Sequence, residues 1–339
     1  MESQNPKIVV ITPVKNEAWI LDRFLAVTSQ FADHIIIADQ NSTDGSQAIC
    51  KNYPKVTLIE NKSDQFNEAD RQLLLIHKAR ELVPEPKILF ALDADELLAA
   101  NAIKTLGWQS ILKSKPGTVL CLERADLYLT PYQVVRHDTY SPIGYVDDGA
   151  EHKPRPMHSI RIPMPDYAPR LYCHDLKIIH YALIRPNAYA SKIRLYSVLE
   201  NILSIGKFPM GRRQRYASKQ DFTKTGRLEL TPSEWFAGWE ELGIDMRTIF
   251  EQVYYWYDFE VLNYFQKYGL RRFWLDDIWE FDWEDCRLYA KSVGLKNIPD
   301  FEISEQPRII NILAGLLTAL YNFTRKLNKP ANYKTKLFK

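Results

Sequence analysis

Only four of the 339 residues are cysteine, Cys50, Cys121, Cys173 and Cys286. They form no Cys-x-x-Cys pair and have no His at finger spacing. That argues against a disulfide scaffold or a structural zinc site and fits a reducing, cytoplasmic compartment. Excess charge of one sign is also missing. The 44 Lys+Arg against 42 Asp+Glu leave a formal +2, so nucleic acid is not an expected partner. No basic segment followed by a long apolar run opens the chain, and a secretory signal is not expected. The most apolar stretch, 309–320, is interrupted by Asn311 and Thr318 and falls short of the roughly 20 residues a span needs. Gly-x-Ser-x-Gly, P-loop and Gly-x-Gly-x-x-Gly patterns are absent, so hydrolase, kinase and dinucleotide readings lack their motifs. The 46% hydrophobic and 25% charged residues that are present suit a chain that buries a sizeable core, in one large domain or two.

The first hundred residues alternate between two periodicities. Lys7–Thr12, His34–Asp39, Val56–Glu60 and Lys87–Leu92 read as short apolar strands. Between them, 16–30, 44–52 and 68–82 have helical spacing. Strands alternating with helices imply βαβ units and a parallel sheet, and runs as apolar as HIIIAD and KILFAL suit strands covered on both faces. Further on, Val119–Glu123 and Lys177–Tyr181 read as strands. After Asn187 the chain reads as mainly helical, with candidates at 233–242, 247–268 and 283–293. The expected division is 1–215 for the sheet domain and 216–339 for a helical region with a basic tail.

In an open parallel sheet, ligands bind beyond the carboxyl ends of the strands. Three polar clusters end the first apolar runs: Thr12-Pro13-Val14-Lys15-Asn16-Glu17, Asp39-Gln40-Asn41-Ser42-Thr43-Asp44-Gly45 and Asp93-Ala94-Asp95-Glu96. All three should share one rim. An Asp-x-Asp pair at a strand end offers hard oxygen ligands suited to Mg²⁺ or Mn²⁺ bridging a diphosphate. Ser42 and Thr43 read as turn or cap residues rather than nucleophiles.

Residues 7–17 (KIVVITPVKNE), 34–46 (HIIIADQNSTDGS) and 87–98 (KILFALDADELL) together resemble the N-terminal signatures of family 2 glycosyltransferases with the GT-A fold. A looser likeness runs through Arg170-Leu171-Tyr172 to His180-Tyr181. The resemblance implies an α/β, Rossmann-like, mostly parallel sheet and an inverting, metal-dependent enzyme. It would move a sugar from a nucleotide-diphosphate donor, a UDP-sugar in the commonest case, to a glycan, lipid-linked or protein acceptor. On that basis Pro13, Val14 and Glu17 line the nucleoside pocket, Asp39 bonds the base, and Arg71 approaches the base or diphosphate. Asp93 lies near the ribose, while Asp95 and His180 hold the metal. Gln40 and Asn41 depart from the family pattern, where Asp and Gly are frequent. The rival readings are a nucleotidyltransferase on a related sheet and a catalytically silent nucleotide- or sugar-binding protein.

The acceptor hydroxyl needs a general base, most often Asp or Glu. Asp147 and Asp148 in YVDDGAEHKPRP are favoured, with Glu151, Asp175 and Glu96 as alternatives. Aromatic residues crowd 253–283, which reads as helix packing rather than a sugar-stacking surface. From Arg308 onward there are two Arg, five Lys and no acid. The tail is therefore either an interfacial helix with a basic extension, placing the enzyme at the inner face of a membrane, or a segment packed on protein.

Overall fold

The computed structural model describes residues 5–63, 67–84, 86–205, 209–217 and 221–327. In chain order the elements are β1 (Lys7–Val14), α1 (Ala18–Thr28), β2 (His34–Asp39), α2 (Ser46–Cys50), β3 (Val56–Glu60), α3 (Glu68–Leu82), β4 (Lys87–Ala91) and β5 (Glu96–Leu98). There follow α4 (Leu106–Leu112), β6 (Val119–Tyr128), β7 (Thr130–Val146), β8 (Arg170–His180), α5 (Pro186–Ile202), α6 (Pro209–Arg215), β9 (Arg227–Leu230) and α7 (Ala237–Glu240). The chain then continues through α8 (Trp256–Tyr268), α9 (Trp283–Ser292) and α10 (Arg308–Leu327).

The sheet runs β3-β2-β1-β4-β7-β6-β8-β5, with β9 on the edge of β7. β3, β2, β1 and β4 are parallel, β7 is antiparallel to β4 and β6, and β8 is parallel to β6. Strand order reverses between β1 and β4, the switch point at which open α/β sheets hold ligands. The apolar runs are explained by cover on both faces. Val10, Ile35, Ile37 and Phe90 pack with Phe24 and Leu25 of α1, while Val9, Ile11, Ile36 and Leu89 pack with Leu75, Ile76 and Ala79 of α3. Each large side chain fully buried here contributes about 1.5–3 kcal/mol.

β7 escaped the sequence reading. Pro131 and Pro142 lie within it, and proline normally demotes a run to an edge or a bulge. Here Pro142 pairs with Cys121 at a register shift, and Leu129 takes up positive φ, 59°, at the hairpin tip. The helix expected over 247–268 begins only at Trp256, where the Asp258 carboxylate accepts from the Tyr255 N–H.

The chain forms two compact units, where the sequence suggests one cut at residue 215. The first comprises 1–185 and 222–250, the second 186–221 and 251–339. The chain returns to the sheet after residue 221 because β9 extends β7 and because Trp235, Phe236, Trp239 and Met246 complete the core around α1 and β4. Hydrogen bonds join them too: the Trp239 indole Nε1–H donates to the Leu98 carbonyl, and Ala100 N–H to that of Trp235. The second unit is helical. Its aromatic cluster is a core: Phe265 is fully buried, stacks on Trp279 at 5.6 Å and meets Trp283 edge-on at 5.0 Å. The four cysteines are free and buried.

Candidate active site

The loops after β1 and β2 are stapled to each other. Asn16 and Asn41 adopt the left-handed conformation (φ 57° and 53°), where Asn is among the few side chains tolerated. Asn16 N–H donates to Ser42 Oγ at 2.8 Å, Thr43 N–H to Asn16 Oδ1 at 2.7 Å and Glu17 N–H to Ser46 Oγ at 3.0 Å. Asp44 accepts from Ala18 N–H at 2.8 Å, satisfying an otherwise unpaired donor at the start of α1. Ser42, Thr43 and Asp44 are thus engaged in holding the two loops of the rim together. Asp39, at the end of β2, is buried. Its Oδ2 accepts from Ser42 N–H at 3.1 Å and Gln47 Nε2–H at 2.6 Å, while Oδ1 is buried without a hydrogen-bond partner. A buried acceptor of this kind costs about 1–3 kcal/mol until a donor reaches it.

The acidic cluster stands on the same rim. Tyr181 N–H donates to the Asp95 carbonyl at 2.9 Å, fixing the Asp-x-Asp turn to the end of β8. Register places Glu96 of β5 and Asp126 of β6 on either side of His180. His180 Nδ1 bonds Asp126 Oδ1 at 2.5 Å, and Nε2 lies 3.5 Å from Asp95 Oδ2. Burial alone would push the imidazole down, but Asp95 and the bond to Asp126 hold its pKa up at about 9. Asp126 itself is buried, which would raise it, yet the bond from His180 keeps it below the usual carboxylate range. Arg161 Nη1 lies 3.1 Å from Asp93 Oδ2 and 2.7 Å from Glu96 Oε2, while Arg124 reaches Glu96 at 3.7 Å and Asp126 at 3.4 Å.

Among the described residues no group of three or more His, Cys, Asp or Glu side chains is disposed to hold a metal. What the rim offers is one carboxylate and one imidazole, Asp95 and His180, the ring oriented by Asp126. Such a pair suits a divalent ion that keeps water and diphosphate oxygens as its other ligands, and the Asp126 bond is the outer-shell support that metal-binding His normally has.

Asp147 and Asp148 are not brought here. β7 runs antiparallel to β4, so Val146 pairs with Ile88 and Asp147 follows at the opposite rim, its N–H donating to the Lys87 carbonyl. Asp147 is buried against Arg80, 2.8 Å, and Lys87, 3.4 Å, and Asp148 accepts from the Tyr145 hydroxyl at 2.5 Å. The other base candidates are also engaged. Asp175 accepts the Gly107 N–H at the start of α4, Glu151 pairs on the surface with Lys153, and Glu96 is held by Arg161. Pro13 and Glu17 stand half-buried at the rim, but Val14 packs into the core, 2% exposed. Arg71 sits on the first turn of α3, whose N-terminus follows the end of β3.

From Asp147 the chain retraces α3 backwards. Arg80 donates to the Ala150 carbonyl, His152 bonds Gln72, and Glu68 meets Pro156 and Ser159, which delivers Arg161 to Asp93. Arg161, Arg124 and Asp126 were missed in the sequence. Asp126 had a signal, a carboxylate inside an apolar strand, but only the β6–β8 register joins it to His180. His152 is a core histidine along this path: burial lowers its pKa to about 4. Because the folded value lies below the ordinary 6.5, the unfolded chain protonates first as pH falls. The contribution of His152 to stability should be complete above about 6.5 and decline towards pH 4. Melting curves of wild type and His152→Gln should diverge in that window, the variant being flatter. Identical pH profiles would refute the assignment.

The parallel βαβ sheet, the antiparallel β7 beside β4 and the acidic rim define an α/β domain of GT-A type. Residues 9–107 match the family model described as Glycosyl transferase family 2, which places this stretch among the glycosyltransferase enzymes. No curated protein matches the sequence. Similar solved structures include a 4-diphosphocytidyl-2C-methyl-D-erythritol synthase, with 16% identity over 37% of this chain and 64% of that one, and a TM-score of 0.29. A glucosyl-3-phosphoglycerate synthase from Mycobacterium tuberculosis, solved with Mn²⁺, uridine diphosphate and glucosyl-3-phosphoglycerate, has 13% identity over 36% and 44%, with a TM-score of 0.26. The mannosyl-3-phosphoglycerate synthase from Rubrobacter xylanophilus has 16% identity over 36% and 41%, with a TM-score of 0.28. The chain thus spans less than two thirds of each of these chains, and the family match over 9–107 is the finding that bears on activity.

Proposed function

We propose that the protein is an inverting, metal-dependent glycosyltransferase that moves a sugar from a nucleotide-diphosphate donor, a UDP-sugar, to an acceptor hydroxyl. One observation carries this reading. Asp39, with its buried unpartnered Oδ1, shares a rim with Asp93, Asp95 and His180 across the switch point of the sheet. An imide N–H such as that of uracil would give Oδ1 its donor, and the segment from Pro13 to Glu17 flanks it. Arg71 is assigned to the base or diphosphate and Asp93 to the ribose.

Asp95 and His180 would hold Mn²⁺ or Mg²⁺, which when bound neutralises charge on the departing diphosphate. His180 must give up its proton to serve, and Asp126 keeps the ring aimed while it does so. Direct displacement forms the new bond from the acceptor oxygen to the anomeric carbon as the bond to the diphosphate breaks, releases the nucleotide diphosphate and inverts the anomeric centre, while the hydroxyl proton passes to solvent water. The acceptor is the hydroxyl of a glycan, a lipid-linked sugar or a protein. The buried free cysteines support a cytoplasmic site of action.

The reading is tested at Asp39. Asp39→Ala should weaken UDP binding about 10- to 100-fold by calorimetry, the loss expected when a hydrogen bond to a charged group is removed. Unchanged UDP affinity would make Asp39 structural or the nucleotide a different one. A silent binding protein would bind UDP-sugar in the presence of Mn²⁺ and never transfer or hydrolyse it.

A further inference from the structure

α10 leaves one face unpartnered among the described residues. Its inner face packs on α6: Ala314 is buried, Thr318 Oγ1 lies 3.4 Å from Met210 Sδ, and the Tyr321 hydroxyl covers Gly211. On the other side Ile309, Ile312, Leu313, Leu316, Leu317, Leu320 and Phe323 are exposed, between 46% and 68% each. Their spacing of three, one, three, one, three and three residues keeps them on one stripe along the helix. Isolated exposed leucines need no explanation, whereas seven in a row along four turns do. No helix among the described residues is long and apolar enough to cross a membrane, so the stripe is not a span.

The charges decide what covers it. The last acid before the helix is Glu305, and from Arg308 to the end of the sequence there are two Arg, five Lys and no Asp or Glu. Two copies meeting through this stripe would bring cations against cations in either orientation, with no acid on the helix to pair them. An anionic bilayer supplies what both halves lack, an apolar layer for the stripe and negative headgroups for the flanking bases. We infer that α10 lies in the plane of an anionic membrane surface, with its stripe in the headgroup–acyl boundary and the basic residues on lipid phosphate. The inference does not depend on the glycosyl-transfer reading, since it uses no residue of the rim.

The test uses the full chain and sedimentation with vesicles of phosphatidylcholine, with or without phosphatidylglycerol. The protein should sediment with the anionic vesicles at physiological salt and at least about tenfold less with neutral ones, and high salt should weaken the binding. Combining Leu313→Glu, Leu316→Glu and Leu320→Glu should abolish binding without changing the melting temperature, because all three side chains are exposed. Should that variant fold poorly, replacing Lys326, Lys329, Lys334, Lys336 and Lys339 with Gln should still weaken anionic binding by about tenfold or more. Any of three results overturns the inference: an intact chain that ignores anionic vesicles, variants that bind as well as wild type, or a dimer in solution that the Glu variant dissociates without wild type ever binding lipid.

Discussion

Asp147→Ala should lower the unfolding free energy by about 3–5 kcal/mol, the cost of breaking a buried ion pair from one side. The carboxylate is completely buried, and two cations face it, the Arg80 guanidinium and the Lys87 ammonium, itself 1% exposed at the start of β4. Burial pushes its pKa up, but the Arg80 bonds and charge hold it below the ordinary carboxylate value, so the pair stabilises the fold at neutral pH. That contribution is present above the unfolded pKa and is lost as pH falls through the folded one. Urea unfolding should show the shift in midpoint with an unchanged slope. At urea concentrations where the variant is still folded, transfer should proceed at the wild-type rate. A variant of normal stability and lost turnover would return Asp147 to the role of base.

Asp95→Asn should do the reverse. Asp95 is part exposed and not in the core, so above about pH 9, where His180 is neutral, its loss should leave the unfolding free energy within about 1 kcal/mol of wild type. Removing the carboxylate opposite His180 should cost about 10²–10³ in turnover and eliminate the Mn²⁺ dependence of UDP binding. Calorimetry with and without Mn²⁺ separates this from general damage, because Asp39 and its loop are untouched. Wild-type turnover, or an intact Mn²⁺ effect on UDP affinity, would remove Asp95 from the metal site.

What the sequence revealed and what it hid follow one division. β2, β3 and α3 lie where local pattern places them, and the residues that end the parallel strands share a rim because strand direction fixes which end faces which way. His180 could be placed there only through the family resemblance. Its partner could not, since Asp126 reaches it only through the pairing of β6 with β8. The attraction of Asp147 and Asp148 as bases rested on their position in the chain. The direction of β7, hidden by its prolines, sends them to the far rim. Arg161 lies in an irregular segment whose path is set by side chains of α3 rather than by any periodicity of its own.

The discontinuity of the first unit has a consequence for biosynthesis. Every rim residue named above has left the ribosome's peptidyl-transferase centre once residue 185 is made, yet Trp235, Phe236, Trp239 and Met246 have not been translated. Until they arrive, the core around α1 and β4 is unfilled, and the edge of β7 that β9 will occupy offers unpaired backbone. Domains generally fold as units during synthesis. This one must wait for α5 and α6 to pass before it can close, and a nascent chain stalled near residue 221 would carry every residue of the rim on an unfinished, association-prone sheet.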